Sequence, residues 1–180
     1  MIETVVESIR VSLVTQHRVV ILKEVAGERH LPIWIGPFEA EAIAMELQGV
    51  PAARPLPYDL LKRIVTDMGG VVREIQVTDL SQDVFYARIM IEQNGRMLEI
   101  DSRPSDAIAL AVRTKVPILV DEAVMDRAGV KLEAEGEADE PEVPPQERSS
   151  ESTVSEADLS VFREFINSLD LDDFDRRRDH

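Results

Sequence analysis

The chain contains no cysteine, which excludes disulfide bonds, thiolate metal sites and a cysteine nucleophile. Aromatic residues make up only 4% of its 180 residues, so Val, Ile, Leu and Ala must supply the core. No apolar run approaches the roughly 18 residues of a membrane span, and the first residues lack a signal-peptide pattern. We therefore expect a cytoplasmic protein that does not associate with a membrane.

The chain also has few histidines, and its net charge is negative. The three histidines stand far apart, at positions 17, 30 and 180, so a histidine-based metal cluster is not expected. The net charge of −15 is unevenly distributed, with −4 on residues 1–132 and −11 on residues 133–180. The acidity therefore belongs mostly to the tail, and the charge of the first segment neither supports nor excludes a nucleic-acid partner.

The composition divides the chain into three segments. Residues 1–132 have the apolar content of one compact domain, whereas residues 133–154 are rich in Glu, Pro and Ser and are predicted to form a disordered acidic linker. Residues 155–180 are predicted to contain an amphipathic tail helix that docks on its own or a neighbouring subunit. Its apolar face consists of Leu159, Phe162, Ile166 and Leu169.

The periodicity of the first segment predicts an α+β domain. Strands are predicted at about 5–14, 18–25, 31–35, 71–80, 84–92, 97–100 and 117–120. Helices are predicted at about 37–47, 58–68, 104–114 and 121–128, the first and third opened by a proline.

Three sequence matches indicate that the two halves of this domain repeat each other. Residues 5–12 match 71–78, residues 24–27 match 92–95, and residues 41–45 match 106–110, at offsets of 66, 68 and 65. Matches that keep their order favour a duplicated β-β-β-α unit and a pseudo-symmetric fold. We expect two sheets, each backed by its helix, that meet along a groove.

Acidic residues at helix starts are the candidate catalytic groups. The repeat pairs Glu41 with Asp106, each expected in a first helical turn, and Asp59 opens another helix together with Tyr58. Carboxylates that converge would bind Mg²⁺ or Mn²⁺, with Arg54 and Arg103 holding a phosphate. The alternative is that each acid only complements the dipole of its own helix.

Several motifs resemble the bifunctional nuclease domain family. They are LPIWIG at 31–36, EAEAIA at 39–44, RPL at 54–56 with DLL at 59–61, and SRPSDAIALA at 102–111. Residues 162–166 and 172–174 further resemble the tail of actinobacterial members. The resemblance implies an α+β fold that cleaves RNA and DNA and whose subunits associate, so we expect a homo-oligomer, in the first instance a dimer.

One position departs from the family pattern. After Arg-Pro-Leu, members usually carry Thr-His-Asp, whereas this chain has Pro57-Tyr58-Asp59. Tyrosine has a reference pKa near 10 and is a poor base at neutral pH. Two functions are thus open: a metal-assisted nuclease that uses Glu41, Asp59 and Asp106, and a non-enzymatic oligomeric module that binds a ligand or a protein.

Overall fold

The computed structural model describes residues 1–11 and 17–131, which form one α+β domain. In chain order the first elements are β1 (Ile2–Val11), β2 (Arg18–Glu24), β3 (Arg29–Ile35), α1 (Pro37–Leu47) and α2 (Pro57–Asp67). They are followed by β4 (Gly70–Ser81), β5 (Val84–Gln93), β6 (Arg96–Ser102) and α3 (Pro104–Thr114). The domain ends with β7 (Ile118–Val120), α4 (Glu122–Ala128) and β8 (Val130–Lys131).

All eight strands belong to one sheet with the order β6-β5-β4-β7-β1-β2-β3-β8. Strand β7 joins its two halves, because it pairs in parallel with β4 and antiparallel with β1. The expectation of two separate sheets is therefore wrong. The short 117–120 segment was correctly predicted as a strand, but nothing in its local sequence specifies which strands it pairs with.

The helices cover one face of this sheet. Buried side chains of β2, β4 and β5 form a single apolar cluster with residues of α1, α3 and α4, among them Ile43, Leu110 and Met125. Helix α3 is the most deeply buried, with Ala107 to Ala111 at 0–1% exposure. Because α3 packs beside both α1 and α2, the N-terminal ends of these three helices can share contacts. No helix in the described part of the chain is long and apolar enough to cross a membrane.

Each half of the domain contains three consecutive antiparallel strands followed by a helix, β1-β2-β3-α1 and β4-β5-β6-α3. The first strand of each half has a register shift, between Val6 and Ser8 in β1 and between Val72 and Glu74 in β4. These two shifts lie 66 residues apart, which equals the offset of the first sequence match. The element order fits the predicted duplication, which itself stays a prediction.

Two predicted features lie outside the described residues. They are the acidic linker at 133–154 and the tail helix within 155–180. The described part of the first strand begins at Ile2, three residues earlier than predicted.

Candidate active site

Helices α1, α2 and α3 begin with the same local pattern, a proline followed two residues later by an acid. The pairs are Pro37 with Glu39, Pro57 with Asp59, and Pro104 with Asp106. Proline suits the first helical position because its missing N–H would have no partner there, and a nearby carboxylate is stabilised by the positive end of the helix dipole. This pattern places one carboxylate at the start of each of the three packed helices.

Arg103 bridges two of these carboxylates. Its Nε and Nη2 donate to Oδ2 and Oδ1 of Asp106 at 2.7 and 3.0 Å, and Nη2 also donates to Oε1 of Glu39 at 3.0 Å. The two acceptor oxygens each lie 3.0 Å from the same nitrogen, so they are at most 6.0 Å apart. The hydrogen bond to Asp106, together with the charges of both acids, raises the pKa of Arg103 above its ordinary value. Arg103 therefore stays charged, and hydrogen bonds to the two carboxylates hold its guanidinium.

Tyr58 adds a neutral donor to this group. Its hydroxyl donates to Oδ1 of Asp106 at 2.8 Å. Burial first, and then the hydrogen bond to the Asp106 carboxylate, raise the pKa of Tyr58 well above its ordinary value of 10.0. Tyr58 is therefore protonated at neutral pH, where it orients Asp106 and cannot accept a proton. We call Glu39, Tyr58, Arg103 and Asp106 the acid–arginine cluster.

Arg113 lies beneath this cluster and connects three helices. Its side chain is only 3% exposed, and its Nε donates to Oδ1 of Asp59 at 2.8 Å. Its two terminal nitrogens donate to the carbonyl oxygens of Ala109 and Ala42, both at 2.9 Å. The guanidinium carbon also lies 5.4 Å from the centroid of the Tyr58 ring, a cation–π distance. Arg113 thus fixes the positions of Tyr58 and Asp59 relative to α1 and α3.

Each carboxylate oxygen of Asp59 has one hydrogen-bond partner. Besides accepting from Arg113, its Oδ2 accepts from the backbone N–H of Leu56 at 2.7 Å, which caps α2. Arg54 lies close by, in a cavity of about 310 Å³ that Asp59 and Arg113 also line. The predicted pair Arg54 and Asp59 therefore shares a cavity, while the predicted pair Arg103 and Asp106 is in direct contact.

Glu41 lies elsewhere. It is the fifth residue of α1, exposed, so the expectation that it occupies the first helical turn is wrong. Residues two apart on a helix do not face each other, so Glu39 and Glu41 point to different sides of α1. Aligning the helices by their first prolines pairs Glu39, and not Glu41, with Asp106. Within residues 1–11 and 17–131, no three His, Asp or Glu side chains are grouped closely enough to hold a metal ion.

Sequence reasoning missed Glu39 and Arg113 as members of this site. A comparison of the three helix starts identifies Glu39, because Pro-Phe-Glu at 37–39 matches Pro-Ser-Asp at 104–106. Arg113 follows Asp106 by seven residues, which is two helical turns and therefore the same face of α3. Read locally, Arg113 is an ordinary basic residue in a last helical turn, where it would complement the dipole.

Comparison with known proteins gives a family. Residues 20–133 match the sequence model described as "Bifunctional nuclease domain". An uncharacterized protein of Mycobacterium tuberculosis (strain ATCC 25618 / H37Rv) is 39% identical over 174 residues, which cover 96% of this chain and 97% of that protein. Bifunctional nuclease 1 of Arabidopsis thaliana is 31% identical over 129 residues, 69% of this chain and 40% of that protein. Bifunctional nuclease 1 of Oryza sativa subsp. japonica is 29% identical over 119 residues, 64% of this chain and 36% of that protein. The chain thus spans less than half the length of these plant relatives.

Proposed function

The chain belongs to the bifunctional nuclease domain family, and on that basis we propose that it hydrolyses phosphodiester bonds in RNA, DNA or both, assisted by Mg²⁺ or Mn²⁺. The observation that carries this proposal is the sharing of one exposed arginine by two carboxylates of different helices, Glu39 and Asp106. An arginine between two acids marks a position where positive charge is favourable and where a guanidinium is available for phosphate.

The donor set of the cluster suits a hard divalent cation. Mg²⁺ is usually held by one or two carboxylates, with water and substrate phosphate completing its octahedron. Glu39 and Asp106 supply two carboxylates, and small side-chain rotations can bring oxygens that are at most 6.0 Å apart to a common ion. A bound cation would polarise the phosphoryl group and lower the pKa of a coordinated water.

Arg103 has a second role in this proposal. Its side chain is 69% exposed, so leaving the two acids requires little loss of packing. A cation held by Glu39 and Asp106 would neutralise their charge, and the Arg103 guanidinium would then be available to bind phosphate bidentately. Arg54, in the adjacent cavity, provides a second positive charge for a neighbouring phosphate.

Tyr58 and Arg113 act as positioning residues. The Tyr58 hydroxyl holds one oxygen of Asp106, and its raised pKa keeps the proton on that hydroxyl throughout the neutral range. Arg113 fixes the Tyr58 ring and the Asp59 carboxylate from below. Because Asp59 is engaged by Arg113 and by its own helix, we assign it to this support, and its role as a metal ligand stays a prediction.

Cleavage of a plasmid and of a single-stranded RNA, with Mg²⁺ or Mn²⁺ and with a chelator, tests the proposal. Asp106→Asn and Glu39→Gln are expected to lose metal-dependent cleavage, whereas Glu41→Gln, a change of the same kind two residues away, is expected to retain it. Melting temperatures near that of the wild type would show that the variants are folded. Cleavage that survives chelation, or that is lost only in Glu41→Gln, would contradict the assignment.

The same contacts support a second function, a binding module without chemistry. Arg103 and Arg113 tie the starts of α1, α2 and α3 together, which is what a purely structural clasp would do. In that case Asp106→Asn would lower the melting temperature, and the purified wild type would cleave neither substrate with any added metal.

A further inference from the structure

Strand β6 forms one end of the sheet. Within the described residues it pairs only with β5, with a continuous register from Arg96 to Ser102. Three apolar side chains of this strand are substantially exposed: Met97 at 51%, Leu98 at 38% and Ile100 at 44%. The strand carries charges at Arg96, Glu99 and Asp101, but it has no proline and no bulge, two of the features with which natural edge strands prevent further pairing.

The turn before β6 fixes which of its backbone groups are free. Asn94 and Gly95 have φ values of +52° and +74°, so they form a type I′ two-residue hairpin turn. The flanking residues of such a turn, Gln93 and Arg96, exchange backbone hydrogen bonds, and bonded and non-bonded pairs alternate along an antiparallel ladder. The N–H and C=O groups of residues 97, 99 and 101 therefore point away from β5 and towards the free edge.

We propose that β6 pairs antiparallel with β6 of a second copy of this chain, so that the two sheets become one. Glu99 is the midpoint of the strand, so full overlap places this residue opposite itself on a twofold axis. Residues 97, 99 and 101 then meet 101, 99 and 97, and the free groups of both strands bond to each other. No other register of the two strands pairs all the outward-pointing N–H and C=O groups of residues 97, 99 and 101.

The side chains are also complementary in this register. Leu98 and Ile100 lie on the helix-bearing face, because they pair with Ile91 and Ile89 of β5. Each Leu98 would meet the partner's Ile100, which covers two apolar side chains from each copy. The two Glu99 carboxylates near the axis each already bind an arginine of their own chain, since Arg88 Nη1 lies 2.6 Å from Glu99 Oε2. A second copy matches the strand in length, hydrogen bonding and apolar positions.

This pairing would also bring positive charge to the acid–arginine cluster. The same register places the partner's Arg96 opposite Ser102, directly before Arg103 and on the helix-bearing face. Directly opposed residues of an antiparallel pair lie about 4.5–5.5 Å apart. This consequence rests on the proposed function: each copy would provide a phosphate-binding arginine for the site of the other, in a chain that carries a net negative charge.

The absence of cysteine allows a direct test of the register. Only a residue close to the twofold axis meets its own copy, so Glu99→Cys should form an intermolecular disulfide under mild oxidation, because its Cα atoms would lie within bridging distance. Leu98→Cys, Ile100→Cys and the exposed strand control Val71→Cys should cross-link much less. Preferential cross-linking at position 98, 100 or 71 would overturn the proposed register.

The oligomeric state provides an independent test on the otherwise unmodified full chain. Light scattering after gel filtration should give twice the monomer mass, and Leu98→Lys should reduce it to the monomer mass, while Val71→Lys, at a more exposed strand position, should not. A wild type that stays monomeric at high concentration, or a dimer that Leu98→Lys leaves intact, would overturn the proposal.

The contribution of Arg96 is tested by oligonucleotide binding in the presence of a chelator. Arg96→Ala should weaken this binding about tenfold without changing the mass. An unchanged affinity would remove the contribution of Arg96 while leaving the dimer.

Discussion

Replacement of Arg113 by methionine tests whether this buried arginine organises the three helices. Methionine has a similar length and fills the same space, so the change removes the charge and the hydrogen bonds while creating little cavity. The arginine makes three hydrogen bonds, to Asp59, Ala109 and Ala42, and one ring contact with Tyr58. The perturbation therefore concerns interactions rather than volume.

The expected cost follows from what is left behind. Removing one partner of a buried ion pair typically costs about 3–5 kcal/mol. Asp59 is 37% exposed and keeps part of its hydration, and the two carbonyls still accept helical hydrogen bonds, so we expect the lower end, about 3 kcal/mol. For a chain of this size that corresponds to a fall in melting temperature of roughly 6–12 °C.

Urea denaturation followed by circular dichroism measures this cost, and a double-mutant cycle with Asp59→Asn apportions it. Asp59→Asn removes the carboxylate charge that Arg113→Met leaves unpaired. Asp59→Asn should therefore lower the free energy of unfolding much less in the Arg113→Met background than in the wild type, with a coupling energy of about 1–3 kcal/mol. An Arg113→Met variant that loses less than about 1 kcal/mol, or additive single effects, would show that Arg113 does not organise the three helices.

Three further predictions concern single interactions. The absorbance change at 295 nm that Tyr58→Phe removes should titrate only above pH 10, because burial and Asp106 raise the pKa of Tyr58; a removed component that titrates below pH 10 would contradict this. The Arg29 hydrogen bond lowers the pKa of Glu24 below its ordinary value of 4.5, so this pair stabilises the fold above pH 4.5 and stabilises it less as the pH falls. Arg29→Met should return the pKa of Glu24, measured by NMR, towards 4.5. An unchanged pKa would argue against the pair. If the predicted tail helix docks, deletion of residues 150–180 should lower the melting temperature or change the elution volume. An unchanged melting temperature together with an unchanged elution volume would count against docking.

Local sequence signals predicted the elements well because each signal acts within a few residues. Proline at the start of α1 and α3, and the Asn94-Gly95 pair before β6, determine helix starts and a tight turn through their own backbone preferences. The number of sheets was not predictable in this way. It depends on where β7 inserts, a three-residue strand between β1 and β4 whose partners are distant in sequence.

The candidate site shows the same division between local and long-range information. Asp106 and Arg103 are three residues apart across a helix start, so their contact follows from helical geometry alone. Glu39 joins them from another helix. The sequence match at an offset of 65 aligned the apolar residues Ala42, Ile43 and Ala44 and not the helix starts, so it paired Asp106 with Glu41. Arg113 was missed because a buried arginine has the same local sequence context as an exposed one, and only packing on α1 and α2 reveals its role.

In the proposed site, Glu39 and Asp106 bind the cation, and the Arg103 guanidinium occupies the place of that cation when no metal is bound. The most direct measurement is the Mn²⁺ affinity of Arg103→Ala, determined by electron paramagnetic resonance beside the wild type and Glu39→Gln. Removing a competing positive charge should tighten Mn²⁺ binding roughly tenfold, the equivalent of about 1.4 kcal/mol, while cleavage falls because phosphate loses its guanidinium. Mn²⁺ binding that is unchanged or weaker in Arg103→Ala, or unaffected in Glu39→Gln, would contradict a cation site between Glu39 and Asp106.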